Sequence, residues 1–340
     1  MTGRPATSVE LGERLATYVA HRLGVERVAV EGLRRLAGGA SRELWSFEVV
    51  RAEGDRERLV LRRDPPGQYL QSSRRDEFAL LRAAAASGLP VPRVRWCEDD
   101  PAVLGSAFFV MDFVAGETLA RRLLRDAEYA SARAALPAQL ADALARIHRI
   151  DPGLPDLAFL PRPAPDETPA AAELARYEQI YRAIAPDPHP ALELAFRWLA
   201  SRGPAPRALT VVHGDYRIGN VIFGPEGLRA VLDWELAHVG DPLEDLAWVC
   251  VRSWRFGADL PVGGLCERAP FFAAYERASG RPIDRDAVRW WEVFGNLRWG
   301  IMCIMQARTF LDGAVASVEL ASLGRRVAEM ELELLDLTED

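Results

Sequence analysis

The chain has 340 residues, enough for two lobes with a core each. Hydrophobic residues make up 49% and charged residues 27%, a globular balance that excludes a disordered or fibrous chain. The net charge of -7 excludes a global basic field for nucleic acid, and all 42 basic residues are arginine, because lysine is absent.

Thr7-Ser8-Val9-Glu10 reads as a capping box that opens a helix running to about residue 22. Three β-like runs follow at 28–36, 44–50 and 58–62, separated by Gly38-Gly39-Ala40-Ser41 and Ala52-Glu53-Gly54-Asp55, which predicts an antiparallel meander. Residues 74–86 form a helix with Phe78, Leu81 and Ala85 on one face, ended by Gly88-Leu-Pro-Val-Pro92. Strands at 94–97 and 107–113 complete a small sheet lobe. The rest is mostly helical, with helices at 119–124, 132–149, 170–184, 191–201, 242–254, 269–279, 286–310 and 317–337. The proline-rich stretch 151–168 reads as an irregular surface loop, and short strands fall at 209–212, 221–223 and 228–232. No apolar run approaches the roughly 20 residues of a membrane span, and the N-terminus lacks the apolar stretch of a signal peptide. Cys97, Cys250, Cys266 and Cys303 form no C-x-x-C pair, so reduced structural thiols in a cytoplasmic protein are expected.

The chemistry concentrates in His213-Gly214-Asp215-Tyr-Arg-Ile-Gly-Asn220, with Asp233-Trp234-Glu235 placed 13 residues beyond Asn220. Strand ends would deliver two carboxylates and an amide. That set suits phosphoryl transfer: Asp215 orients and deprotonates a hydroxyl, while Asn220 and Asp233 offer oxygen ligands to Mg²⁺. Asp241 and Asp245 at a helix start, and His213 and His148, read as braces of this loop. His238 reads as a solvated loop residue or a substrate contact. Trp290, Trp291, Phe294 and Trp299, at helical spacing, read as core.

These residues resemble the aminoglycoside phosphotransferase and choline kinase family, relatives of protein kinases. Asp215 and Asn220 match the catalytic-loop spacing, Asp233 matches the metal-binding Asp, and Gly240-Asp241-Pro242-Leu-Glu-Asp245 is family-like. The resemblance implies an α+β, bilobal protein-kinase-like fold. Residues 1–113 would form a small five-stranded antiparallel nucleotide-binding lobe. Residues 114–340 would form a helical lobe carrying the catalytic and metal loops and the acceptor site. It implies ATP and Mg²⁺ as cofactors and a small-molecule hydroxyl as acceptor. Gly39 and Ser41 fall in the nucleotide-covering loop. Arg62 stands where the family has a phosphate-bridging lysine, with Glu77 as its helix partner. Met111 and Phe113 lie on the hinge strand, whose backbone would meet adenine. Arginine keeps the charge and adds a planar fork, but the exchange leaves open a non-catalytic nucleotide-binding protein.

Three stretches resemble in particular the kinase-like domain fused to some acyl-CoA dehydrogenases: Val60-Leu-Arg-Arg-Asp-Pro-Pro-Gly67, Gly88-Leu-Pro-Val-Pro92, and Tyr275 through Phe294. That subgroup implies a hydroxyacyl-CoA or another anionic or apolar alcohol rather than an aminoglycoside. Arg289, Arg298 and Arg308 beside Trp, Phe and Met on the C-terminal helices agree with this. No basic cluster with interleaved aromatics suggests nucleic acid, no segment suggests a membrane partner, and oligomeric state leaves no trace in the sequence.

Overall fold

The computed structural model describes residues 8–36, 43–64, 73–184 and 187–339. The chain divides into two compact units. One comprises Met1–Gly116, Gly153–Phe159 and Arg229–Glu235; the other comprises Glu117–Pro152, Leu160–Leu228 and Leu236–Asp340.

The first unit opens with α1 (Ser8–Leu23), whose Leu11, Leu15, Tyr18 and Val19 recur every three to four residues and are buried. Thr7 of the expected capping box lies outside the described residues. Strands β1 (Ala29–Arg35), β2 (Glu43–Val50) and β3 (Arg56–Arg63) come next. They are followed by α2 (Arg74–Ala86), β4 (Val94–Glu98), the single turn α3 (Pro101–Leu104) and β5 (Phe108–Asp112). All five strands pair antiparallel, in the order β1-β2-β3-β5-β4. Phe47 and Val49, Leu59 and Leu61, and Phe108 and Val110 alternate along β2, β3 and β5, so one sheet face packs against α1.

The rest of the chain is mainly helical. It contains α4 (Ala120–Arg125), α5 (Ala130–Ile147), α6 (Pro169–Ile184) and α7 (Pro190–Ser201), then β6 (Thr210–Val212), β7 (Val221–Gly224), β8 (Gly227–Val231) and β9 (His238–Gly240). The last helices are α8 (Leu243–Trp248), α9 (Arg268–Ser279), α10 (Arg285–Leu311), α11 (Val318–Leu323) and α12 (Val327–Thr338). Asp284 caps α10 by accepting the Asp286 and Ala287 N–H groups. Trp290, Trp291, Phe294 and Trp299 are buried on this helix as core, and Trp290 stacks on Phe294 at 5.7 Å.

Several expected elements differ in detail. Helix α2 buries Arg74, Glu77, Leu80, Leu81 and Ala84, whereas Ala85 is exposed. Ion pairing draws the charged Glu77 inward and rotates the buried face toward it. The helix expected at 242–254 stops at Trp248 and resumes as a 3₁₀ turn at Arg252–Arg255, because the Val249 carbonyl accepts Gly263 N–H instead of continuing the ladder. The segment expected at 317–337 breaks at Gly324, where a Cβ would press on Ala307. Within 151–168, Leu157 and Leu160 are buried and tie the stretch down. His238 is not a solvated loop residue: it lies on β9 opposite Val212 of β6, buried, with Nε2 3.0 Å from Glu244.

Candidate active site

Strand β6 is buried throughout and leads directly into His213-Gly214-Asp215. The turn requires Gly214: its φ is +78°, and a Cβ there would run into the Leu236 carbonyl. Asp245, fully buried near the start of α8, accepts the N–H of His213 at 2.8 Å and of Gly214 at 2.9 Å. His148 Nε2 lies 3.2 Å from the same carboxylate, and its Nδ1 is 2.7 Å from the Tyr275 hydroxyl. Burial alone would raise the Asp245 pKa, but the His148 contact and the His213 N–H hold it below the ordinary carboxylate value. His213 braces the loop from within, its Nδ1 accepting the Asp215 N–H at 3.2 Å. The loop backbone is therefore held by buried groups rather than by solvent.

Asp215 carries three donors on its carboxylate. Oδ1 accepts from Trp248 Nε1 at 2.8 Å and Arg217 Nε at 3.0 Å, and Oδ2 accepts from Asn220 Nδ2 at 2.6 Å. Asn220 Nδ2 also reaches the Asp215 carbonyl at 3.0 Å. The structure thus brings Asp215 and Asn220 together and turns the Asn220 amide nitrogen toward Asp215. Its Oδ1 has no hydrogen-bond partner among the described residues. The Arg217 guanidinium lies 4.5 Å from the Trp254 ring centre, which fixes its direction.

In the first unit, Arg62 Nε on β3 lies 3.0 Å from Glu77 Oε1 on α2, with side-chain exposures of only 13% and 5%. The pair is therefore not a solvated surface bridge. Glu77 Oε2 also meets Arg74 Nη1 at 2.5 Å, and Arg74 Nε lies 2.9 Å from Asp64 Oδ1. Arg62 spends its inner nitrogen on Glu77, so its two terminal nitrogens form no ion pair among the described residues. Met111 sits in the middle of β5, opposite Val60 and Val94. Phe113 follows the strand, donates its N–H to the Arg58 carbonyl at 3.2 Å and stacks under the Arg58 guanidinium at 3.7 Å. Asp233 follows β8 at φ +65°, a left-handed conformation that Asp tolerates better than most side chains, and its carboxylate has no ion pair among the described residues. Gly39 and Ser41 lie outside the described residues.

No group of three or more His, Cys, Asp or Glu that can hold a metal occurs among the described residues. Asn220 Oδ1 and the Asp233 carboxylate, each without an ion pair among the described residues, are oxygen donors of the type a hard cation takes. Sequence reasoning assigned no role to Trp248, Arg74, Glu244 or Arg217. Arg217 lies inside the Asp215–Asn220 motif and Glu244 inside the Gly240–Asp245 stretch, and both were findable there, whereas Trp248 and Arg74 lie in helices with no local signature.

The antiparallel five-stranded lobe and the helical lobe with its braced Asp-Asn loop define the bilobal protein-kinase-like α+β class of phosphotransferase folds. The chain belongs to the phosphotransferase enzyme family (APH), whose profile matches residues 35–291. Acyl-CoA dehydrogenase family member 10 of Mus musculus is 32% identical over 243 residues, covering 70% of this chain and 22% of that protein. Acyl-CoA dehydrogenase family member 11 of Homo sapiens is 31% identical over 198 residues, covering 55% of this chain and 24% of that protein. The chain thus spans about a quarter of the length of these curated relatives. A crystal structure from Ralstonia eutropha, provisionally named an aminoglycoside phosphotransferase, superposes with TM-score 0.75 at 24% identity, covering 96% of this chain and 97% of that one. A thermostable aminoglycoside phosphotransferase APH(4)-Ia in complex with AMP-PNP and hygromycin B superposes with TM-score 0.62 at 18% identity, covering 98% of this chain and 99% of that one. No helix among the described residues is long and apolar enough to cross a membrane.

Proposed function

We propose that the chain transfers the γ-phosphoryl group of ATP to a hydroxyl of a small molecule, with Asp215 as the catalytic base. The observation that carries this reading is the hydrogen-bond count at Asp215. A carboxylate offers about four acceptor positions. Trp248, Arg217 and Asn220 fill three of them, leaving one on Oδ2 for an incoming donor. A substrate hydroxyl donating there is oriented for in-line attack: Asp215 takes its proton as the oxygen bonds to the γ-phosphorus, and the bond from that phosphorus to the bridging oxygen breaks to release ADP. The three fixed donors keep the carboxylate from rotating away.

In this reading residues 1–113 bind the nucleotide and residues 114–340 carry the catalytic loop and the acceptor site. Arg62 directs its free terminal nitrogens at the α- and β-phosphates while Glu77 holds the inner one, a division of labour that suits the guanidinium fork. Gly39 and Ser41 cover the phosphates, and the segment around Met111 and Phe113 meets the adenine. The N–H groups of Asp112 and Phe113 are already donated to Arg93 and Arg58, so the purine edge would be read from the chain just past the ladder. Asn220 through Oδ1 and Asp233 through its carboxylate would hold Mg²⁺. When bound, the ion neutralises phosphate charge.

The acceptor proposed is a hydroxyacyl-CoA or a similar anionic or apolar alcohol. Support comes from the similarity to acyl-CoA dehydrogenase family members, in which a segment like this chain is one part of a longer protein. An ATP-consumption screen with hydroxyacyl-CoAs, amino alcohols, sugars and aminoglycosides, using Asp215→Asn as the control, tests the proposal. Phosphorylated hydroxyacyl-CoA from the native chain alone would support it. Transfer only to aminoglycosides would replace the acceptor class, and no nucleotide turnover with any acceptor would leave a non-catalytic nucleotide binder.

A further inference from the structure

Arg298 lies in the middle of α10, 2% exposed, and every edge of its guanidinium is engaged. Nη2 donates to the Gly214 carbonyl at 3.0 Å, Nη1 to Glu244 Oε1 at 2.7 Å and Nε to the Tyr177 hydroxyl at 2.9 Å. Its face lies 4.7 Å from the Trp248 ring centre. The other Glu244 oxygen is held by His238 Nε2 at 3.0 Å, so Glu244 is pinned at both ends.

Two of these contacts converge on one atom group. Gly214 is the residue immediately before Asp215, and Trp248 is the side chain whose indole N–H holds Asp215 Oδ1 at 2.8 Å. A buried ion pair is not by itself a stabilising device, since well-packed apolar residues of equal volume often do as well or better. An apolar residue here would fill the volume but would release the Gly214 carbonyl and leave the Trp248 face without its cation. We propose that Arg298 is a positioning residue that holds the loop backbone and the Trp248 indole together, and through both fixes the carboxylate of Asp215. This rests on the reading of Asp215 as the catalytic base, which it deepens.

The test uses the full chain with MgATP, reading basal hydrolysis to ADP, and compares Arg298→Met, Arg298→Lys, Asp215→Asn and the Asp215→Asn/Arg298→Met double variant. A misplacement near 1 Å costs on the order of 10²-fold in rate. Arg298→Met is therefore expected to lower kcat by about 30- to 100-fold with KM for ATP within about twofold. Arg298→Lys, which can reach the Gly214 carbonyl but not all three partners, restores kcat to within about tenfold of the native value. In the Asp215→Asn background Arg298→Met adds no further loss. Native kcat in folded Arg298→Met, a loss confined to KM, or a full multiplicative loss in the double variant would overturn the proposal. Should the Met variant fail to fold, Arg298→Lys carries the test: a kcat reduced about three- to tenfold at unchanged KM supports the proposal, and a native kcat overturns it. If Asp215→Asn itself turns over normally, the reading of Asp215 fails instead, and the two failures are distinguished.

Discussion

Trp248 Nε1 donates to Asp215 Oδ1 at 2.8 Å, joining a side chain at the end of α8 to the carboxylate at the turn after β6. Trp248→Phe keeps an aromatic side chain, though a smaller one, and removes the donor. A hydrogen bond to a charged group contributes about 1.5–3 kcal/mol, so kcat is expected to fall by about ten- to hundredfold. Nucleotide affinity, measured by calorimetric titration with ADP, stays at the native value. An equal loss of ADP affinity would show that the indole supports the whole fold and not this carboxylate.

Asp215→Asn removes the proton acceptor while keeping the shape of the side chain. Turnover is expected to fall by about 10²–10⁴-fold, the contribution of a positioned general base. The melting temperature moves little. Steady-state kinetics alongside a thermal melt decides the matter, and unchanged turnover would remove Asp215 from its role.

Arg62 and Glu77 weigh differently on binding and on stability. Arg62→Ala should raise KM for ATP about ten- to hundredfold, the loss of a charge-assisted contact worth roughly 1.5–3 kcal/mol. Glu77→Ala takes from Arg74, whose side chain is fully buried, a carboxylate 2.5 Å from its Nη1. Breaking a buried pair from one side costs about 3–5 kcal/mol; Glu77→Ala breaks two such pairs and Arg62→Ala one, so the urea midpoint should drop further in Glu77→Ala than in Arg62→Ala. Equal midpoints in the two variants would contradict this division.

Asp245 satisfies two consecutive loop N–H groups and meets His148. Asp245→Ala strands these buried partners, at about 3–5 kcal/mol of stability. Because the folded carboxyl is held below its ordinary value, its contribution is complete above the unfolded carboxylate range and is lost as pH falls through the lowered folded value. Acid melts of the native chain should therefore show a transition that Asp245→Ala lacks.

His238 supplies the opposite limb. Burial disfavours its charged form, but the carboxylate and hydrogen bond of Glu244 prevail and push it up to about 9. A raised imidazole stabilises the fold fully below its unfolded value, about 6.5, and the gain disappears as pH rises through about 9. Melting temperatures recorded from pH 6 to 10 should decline across that window, and His238→Gln should flatten the decline. A native curve with no loss above pH 7 would count against the buried imidazolium.

Much of the fold was legible from local signals. Helix α2 matched its expected limits, 74–86, because Ser73 caps it and proline follows its end, and both are local events. The strands of the first unit were visible as short β-like runs separated by glycine-bearing turns. Asp215 and Asn220 were legible as a pair because they sit five residues apart in one loop, a spacing that puts them within reach of each other. The buried face of α2 was misjudged because hydrophobic periodicity ignores charge, and Glu77 is buried through two arginines. His238 was misjudged because three residues of β9 carry no pattern strong enough to announce a strand.

The amino-acid order alone pointed to the family and to the Asp215–Asn220 pair, since those depend on spacing along the chain and on side-chain type. Only the tertiary structure decided what holds them. Trp248 and Arg298 reach the Asp215 loop from 33 and 84 residues away, and Arg74 shares Glu77 with Arg62. A buried charge takes its partners from whatever packing brings within 3 Å, and no periodicity along the chain encodes which distant helix that will be.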